Sequence, residues 1–210
     1  EQTRHSILDA AERVFEARGV ARTSLQDIAQ AAGVTRGAIY WHFKDKADLF
    51  NAMMLRVTLP MEEAAMRSDD PMLTDPVAHV RECFIDALKK TVNDPQVKRV
   101  FDIATHKVEY VAELQAVRDR HLAVRDEILT HVQRGLTLAV RRGLIARRVP
   151  ARAMALGLHA LTDGLIQNWL LDPPSFDLIK VGTQVIDAFL AGLHAPETRP
   201  GQPPAPTSTH

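Results

Sequence analysis

The sequence predicts an all-α protein of about nine helices, and three observations point that way. Apolar residues recur at the three- and four-residue spacing of a helix along most of the chain, and strand-like alternation is found nowhere. Proline clusters fall between the periodic blocks, where they end one helix or start the next. Composition agrees: 46% of residues are apolar and only 5% are aromatic, while the abundance of Ala, Leu, Val and Arg suits helices.

The first helix is predicted over residues 3–18, with Ile7, Leu8, Ala11, Val14 and Phe15 on one face and Gly19 as its stop. Two short helices follow within residues 23–46. A fourth starts near Asp45 and carries Leu49, Phe50, Met53, Met54 and Val57 toward Pro60. Residues 60–76 read as a loop or frayed region, with Asp69-Asp70-Pro71 and Asp75-Pro76 as breakers. A fifth helix is expected over 74–92 and a sixth over 95–107, opened by Asn93-Asp94-Pro95. A long seventh runs over 112–142 to Gly143, an eighth over 151–171 behind Pro150, and a ninth over 175–193. Residues 195–210, with five prolines among Gly, Ser, Thr and Gln, read as a disordered tail.

Residues 23–46 are the most informative segment. Ser24 can cap a helix, with Asp27 three residues on. Ala29 is small enough for a second helix to cross close by, and Gly33 sits where the chain must turn with positive φ. Thr35 can cap the second helix, and Ile39 points back into the core between the two. Ala, then Gly four residues on, then a β-branched residue six further is the order a helix-turn-helix needs, since its helices cross at ~90–120°. Thr35, Arg36, Gly37, Tyr40 and His42 remain on the outer face, with Lys44 and Lys46 just beyond. Such groups suit base edges and phosphates. Trp41 and Phe43 are expected in the core.

The run Gly33-Val34-Thr35-Arg36-Gly37-Ala38-Ile39-Tyr40-Trp41-His42-Phe43-Lys44-Asp45-Lys46 resembles the TetR family of bacterial repressors, and most closely the AcrR-like branch that controls multidrug efflux pumps. Two weaker echoes lie further on: His106-Lys107-Val108-Glu109-Tyr110, and Asp163-Gly164-Leu165-Ile166 followed by Trp169-Leu170-Leu171. The resemblance implies a DNA-binding domain over 1–46 and a ligand-binding and dimerisation domain over 47–194. It implies DNA contacts at Ser24, Thr35, Arg36, Gly37, Tyr40, His42, Lys44 and Lys46. Arg36 suits a bidentate pair to guanine, and Lys46 at a helix start suits an anion. The start at Glu1 rather than Met leads one to expect a missing N-terminal piece, in this family often a basic arm.

The resemblance also implies a cavity in the C-terminal domain that takes a small-molecule inducer, drug-like and amphipathic or aromatic. Polar residues on apolar faces are the candidates: Asp163 first, then Thr105, His106, Gln133, His159 and Gln167, with Met66 and Phe101 as adaptable walls. Asp163 could instead form a structural pair with His159 one turn earlier. The last two helices are apolar on more than one stripe and so need cover on more than one side, which a two-fold mate supplies. A homodimer would present two reading helices to a palindromic double-stranded operator.

Other classes fare worse. The 26 basic and 26 acidic side chains balance, so DNA binding must rest on local cation placement rather than bulk attraction. Residues 20–46 carry Arg22, Arg36, Lys44 and Lys46 against Asp27 and Asp45. No apolar run reaches the ~18 residues of a membrane span, and the single Cys83 fits packing in a reducing cytosol. No phosphate loop or nucleophile elbow is present, His159 and Asp163 lack a third metal ligand nearby, and neither an enzyme, a cofactor nor a metal is expected. The alternatives kept open are a regulator of a catabolic or lipid operon and, remotely, a helical small-molecule-binding protein or enzyme.

Overall fold

In the computed structural model, residues 1–108, 114–146 and 148–193 are described. Nine α-helices run through them: α1 Gln2–Arg18, α2 Leu25–Ala32, α3 Arg36–His42, α4 Lys46–Met66, α5 Pro76–Asn93, α6 Pro95–His106, α7 Gln115–Arg141, α8 Ala151–Leu171 and α9 Leu178–Ala191. A short 3₁₀ turn at Pro173–Ser175 separates the last two, so α9 begins later than the expected residue 175. The predicted tail over 195–210 and the residues Glu109 and Tyr110 lie outside the described residues.

Helix starts follow the sequence chemistry. Asp75 accepts from Val77 N at 2.9 Å and Ala78 N at 3.0 Å, and Asp94 accepts from Gln96 N at 2.8 Å. Each aspartate caps a helix whose first residue is proline, which loses nothing there because that N–H has no helical partner. The expected loop over 60–76 is corrected at its start, and the loop itself spans 67–75. Helix α4 runs through Pro60 to Met66. A proline inside a helix forfeits one backbone hydrogen bond, but α4 packs against α1, α5, α6 and α7, and that packing carries the helix past the gap.

Two apolar clusters form the core. The first joins Ile7, Leu8 and Phe15 of α1, Ile28 of α2 and Ile39 of α3 to Leu49, Phe50 and Met53 of α4, then takes in Val97, Val100 and Ile103 of α6. The second joins α5 to the far half of α7 and to α8 and α9, through Leu88, Val132, Leu136, Leu158 and Ile186. The packing of α7 is tight at Gly135, where a Cβ would meet the Ser68 carbonyl oxygen at 2.2 Å. Only glycine allows that approach.

A buried carboxylate ties the first cluster together. Glu12 on α1 is 2% exposed. It accepts hydrogen bonds from Arg56 of α4 and, at 2.9 Å, from Gln96 Nε2 of α6, while Arg99 of α6 lies 3.5 Å away. Arg56 also holds Asp9 at 2.8 Å, and Arg99 holds Glu16 at 3.3 Å. Removing one member of such a set strands the others. Glu12→Ala is expected to cost about 3 kcal/mol, read as a lower urea midpoint; a loss no larger than that of an exposed surface substitution would contradict this.

Candidate nucleic-acid interface and ligand cavity

Helices α2 and α3 are set by local chemistry. The Ser24 hydroxyl accepts from Asp27 N at 3.2 Å, and Ser24 N donates to Asp27 Oδ2 at 2.9 Å, a reciprocal capping box. The Ser24 hydroxyl also donates to Asp27 Oδ2 at 2.5 Å, and this bond, then the one from Ser24 N, with Arg18 nearby, hold the Asp27 carboxyl below its usual range. Gly33 closes α2 at φ 68°, and Val34 N bonds to Ala29 O at 3.0 Å. Thr35 caps α3 by accepting from Ala38 N at 3.2 Å. Ile39 is fully buried beneath. This leaves Ser24, Thr35, Arg36, Gly37, Tyr40 and Lys44 exposed and His42 half-buried. The Arg36 guanidinium lies 5.7 Å from the centre of the Tyr40 ring, so an arginine and a phenol stand side by side on one face.

Two expectations are corrected here. Lys46 is 5% exposed. Its ammonium donates to Thr23 O at 3.0 Å and Ala21 O at 3.3 Å, carbonyls of the α1–α2 turn. The start of α4 is already supplied with carboxylates, since Asp48 N donates to Asp45 Oδ1 at 2.8 Å, so Lys46 acts as an internal staple and not as a surface cation. Trp41, expected in the core, is 81% exposed and stacks edge-on against His42 with centroids 4.6 Å apart. Phe43 takes the core position instead, at 2% exposure.

The second site is a cavity of about 450 Å³. Stripes from five helices wall it: Phe50, Met54, Thr58, Met61, Glu62 and Ala65 of α4; Cys83, Phe84 and Ala87 of α5; Phe101, Ala104 and Thr105 of α6; Val117, Arg120, His121, Val124, Arg125 and Ile128 of α7; and His159, Thr162, Asp163, Ile166 and Gln167 of α8. Most of the wall is apolar with scattered polar groups, the usual makeup of a small-molecule site. Of the residues predicted from sequence, Phe101, Thr105, His159, Asp163 and Gln167 come together here. Met66, His106 and Gln133 do not line it. Met66 ends α4 beyond the stripe, His106 turns to Asp102 at 2.8 Å, and Gln133 lies more than a turn past Ile128. Asp163 is exposed and accepts from Gln167 Nε2 at 2.6 Å, so the alternative pairing with His159 is not its hydrogen bond.

Glu62, Arg120 and Thr162 were missed. Glu62 is 8% exposed, accepts from the Thr58 hydroxyl and lies 3.8 Å from Arg120. The positions 58, 61, 62 and 65 form one helical stripe, which is visible in the sequence only if the helix is carried past Pro60. Cys83 is half-buried with its thiol pushed up by burial, and His79 Nε2 lies 3.4 Å from its sulfur.

Comparison with known proteins identifies this pairing of a helix-turn-helix with a helical cavity. The model for bacterial regulatory proteins of the tetR family matches residues 7–53, and the model for the C-terminal region of MAATS-type transcriptional repressors matches residues 75–195. The chain belongs to the TetR family. It is 39% identical over 202 residues to the transcriptional repressor BepR of Brucella suis, covering 95% of each chain. It is 38% identical over 194 residues to the regulator TtgR of Pseudomonas putida, covering 90% of each. Among solved structures, NalD of Pseudomonas aeruginosa, the secondary repressor of the MexAB-OprM multidrug efflux pump, matches with a TM-score of 0.84 at 33% identity, over 93% of this chain and 98% of that one. The complex of SmeT with triclosan matches with a TM-score of 0.85 at 30% identity over the whole of both chains. Both models describe transcriptional regulators, so the protein is a DNA-binding transcriptional repressor of that family. No helix among the described residues is long and apolar enough to cross a membrane.

Burial holds the His159 imidazole below its ordinary value of 6.5. Asp163 opposes that shift, while His121 and Arg125 add to it. The folded state therefore binds fewer protons at this site than the unfolded chain does. The stability this represents is complete above the ordinary histidine value and is lost as pH falls below it. Urea midpoints are expected to drop between about pH 7.5 and about pH 5.5, and His159→Asn should drop less; an equal drop in both proteins would assign the dependence elsewhere.

Proposed function

We propose that this chain works in the cytoplasm as a homodimeric repressor of a multidrug efflux operon, released from a palindromic operator by a drug-like amphipathic or aromatic inducer. The observation that carries the reading is the union of two sites on α4. Its first turn staples the α1–α2 turn through Lys46, and its next turns form one wall of the cavity. The efflux assignment draws on what NalD represses, and the aromatic ligand class on the triclosan held by SmeT.

Arg36 reads a guanine, Thr35 and Gly37 let the backbone approach the groove, and Tyr40, His42, Ser24 and Lys44 hold phosphates. Phe101, Thr105, His159, Asp163 and Gln167 meet the inducer. The mate docks on α8 and α9. On α8, Leu156 is 53% exposed and Gly164 faces open space, and with exposed Ala153 and Ala160 they make a smooth stripe. A helix with such a second apolar stripe needs a second cover.

A gel shift with the DNA upstream of the protein's own gene tests the whole. Binding is expected to weaken steeply with salt and to be relieved by compounds that a neighbouring pump exports. No shift, or a shift indifferent to every compound, would overturn the reading. Arg36→Ala should cost about 1–3 kcal/mol of operator affinity and relax the preference at one base pair, with the thermal midpoint unchanged. Leu156→Glu should sediment as a monomer and lose operator binding through lost bivalency; a dimer in that variant would place the interface elsewhere.

A further inference from the structure

A threonine of the cavity wall carries a buried hydroxyl that has no hydrogen-bond partner among the described residues. A threonine within a helix ordinarily returns its hydroxyl to the carbonyl four residues back. Thr91, Thr130 and Thr137 do this at 2.8, 2.7 and 2.8 Å. Thr162 of α8 does not. It is 5% exposed, it lines the cavity, and its Oγ1 is buried without a hydrogen-bond partner among the described residues. A buried polar group left unpaired carries a desolvation penalty that the fold has no reason to accept for packing. Valine has nearly the same shape and would fill the position without it.

We propose that the Thr162 hydroxyl is the hydrogen-bonding anchor of the cavity and selects aromatic ligands that carry a hydroxyl. The proposal rests on the cavity being the inducer site. Its geometry adds a second polar contact. His159 lies one turn before Thr162 and also lines the cavity, with Ile166 one turn after it. A neutral imidazole can accept the proton of a phenol while the threonine hydroxyl donates to the phenol oxygen. The apolar wall beyond, with Phe84, Phe101 and Ile128, takes the aromatic body. A ligand with no oxygen or nitrogen acceptor leaves the hydroxyl unpaired.

Equilibrium dialysis of the full chain against 1-naphthol and its near-isostere 1-fluoronaphthalene tests this. The wild-type protein should bind the naphthol about tenfold more tightly, the ratio a single well-made hydrogen bond supplies. Thr162→Val should bring the two probes within about twofold of each other, and Thr162→Ser should keep the preference. In the absence of ligand, Thr162→Val should unfold at a temperature equal to or above that of the wild type, since it removes an unpaired polar group. Equal binding of both probes by the wild type, or an undiminished preference in the valine variant, overturns the proposal while leaving the cavity as the ligand site. Failure of the wild type to bind either probe overturns it together with the reading of the cavity. A markedly less stable valine variant also overturns it, because the hydroxyl would then have a structural partner.

Discussion

The constraint on which the rest depends is the carboxylate of Glu12. A charge taken out of water must be matched at close range or the fold does not keep it. Here the matching groups come from elsewhere in the chain: Arg56 on α4, and Gln96 and Arg99 on α6. Helix α1, which frames the DNA-reading pair, is therefore completed by helices whose other faces wall the cavity. The apolar packing says the same, since Val97, Val100 and Ile103 of α6 share a cluster with Ile28 and Ile39 of the reading unit. The reading unit has no core of its own that stops at α3.

This arrangement lets occupancy of one site be felt at the other. Helix α6 is held to the N-terminal unit near both ends. Gln96 and Arg99 meet Glu12 at one end, and at the other Val20 N donates to Lys107 O at 3.0 Å. Phe101, Ala104 and Thr105 face the cavity between those points. A helix held twice moves with its neighbour or not at all. A ligand that displaces its middle must carry the α1–α2 turn along, and Lys46 passes the same displacement to the start of α4. To empty an operator, a ligand needs only a few kcal/mol of preference for the displaced form. That is within the reach of one filled apolar pocket and one or two polar contacts.

What was legible in the sequence divides along chain distance. Ser24, Asp27, Gly33, Thr35 and Ile39 act on neighbours a few residues away, and the motif fixed each of their roles. The register of α8 was legible for the same reason, so His159, Asp163 and Gln167 were found on one face. Lys46 was misplaced because its partners lie 23 and 25 residues back, and no local pattern records which carbonyls a turn leaves open. Trp41 was misplaced because hydrophobicity was allowed to outweigh register: Ile39 and Phe43, four apart, already claim the inward face of α3. The α4 wall was lost at Pro60, where a rule about isolated helices met one held on several sides. The orphaned hydroxyl of Thr162 could not be seen at all, since its meaning lies in what the fold fails to place beside it.

The burial of Lys46 changes how this protein must bind DNA. With that cation turned inward, the exposed cations between residues 20 and 46 reduce to Arg22, Arg36 and Lys44. Asp27, Asp45 and Asp48 occupy the same region, but their oxygens are spent on backbone N–H groups at helix starts and on Lys44 N. Their charge is thereby set against the helix dipoles, though it is not removed from the field. The electrostatic part of DNA binding grows with the number of phosphates neutralised, and one reading head of this kind neutralises few. In the homodimer proposed above, affinity would then come from base contacts and from joining two heads at a fixed spacing, where the second binds at the effective concentration set by the first. Each half of the proposed dimer would grip its operator weakly, and a small change in the distance between halves would be enough to release it.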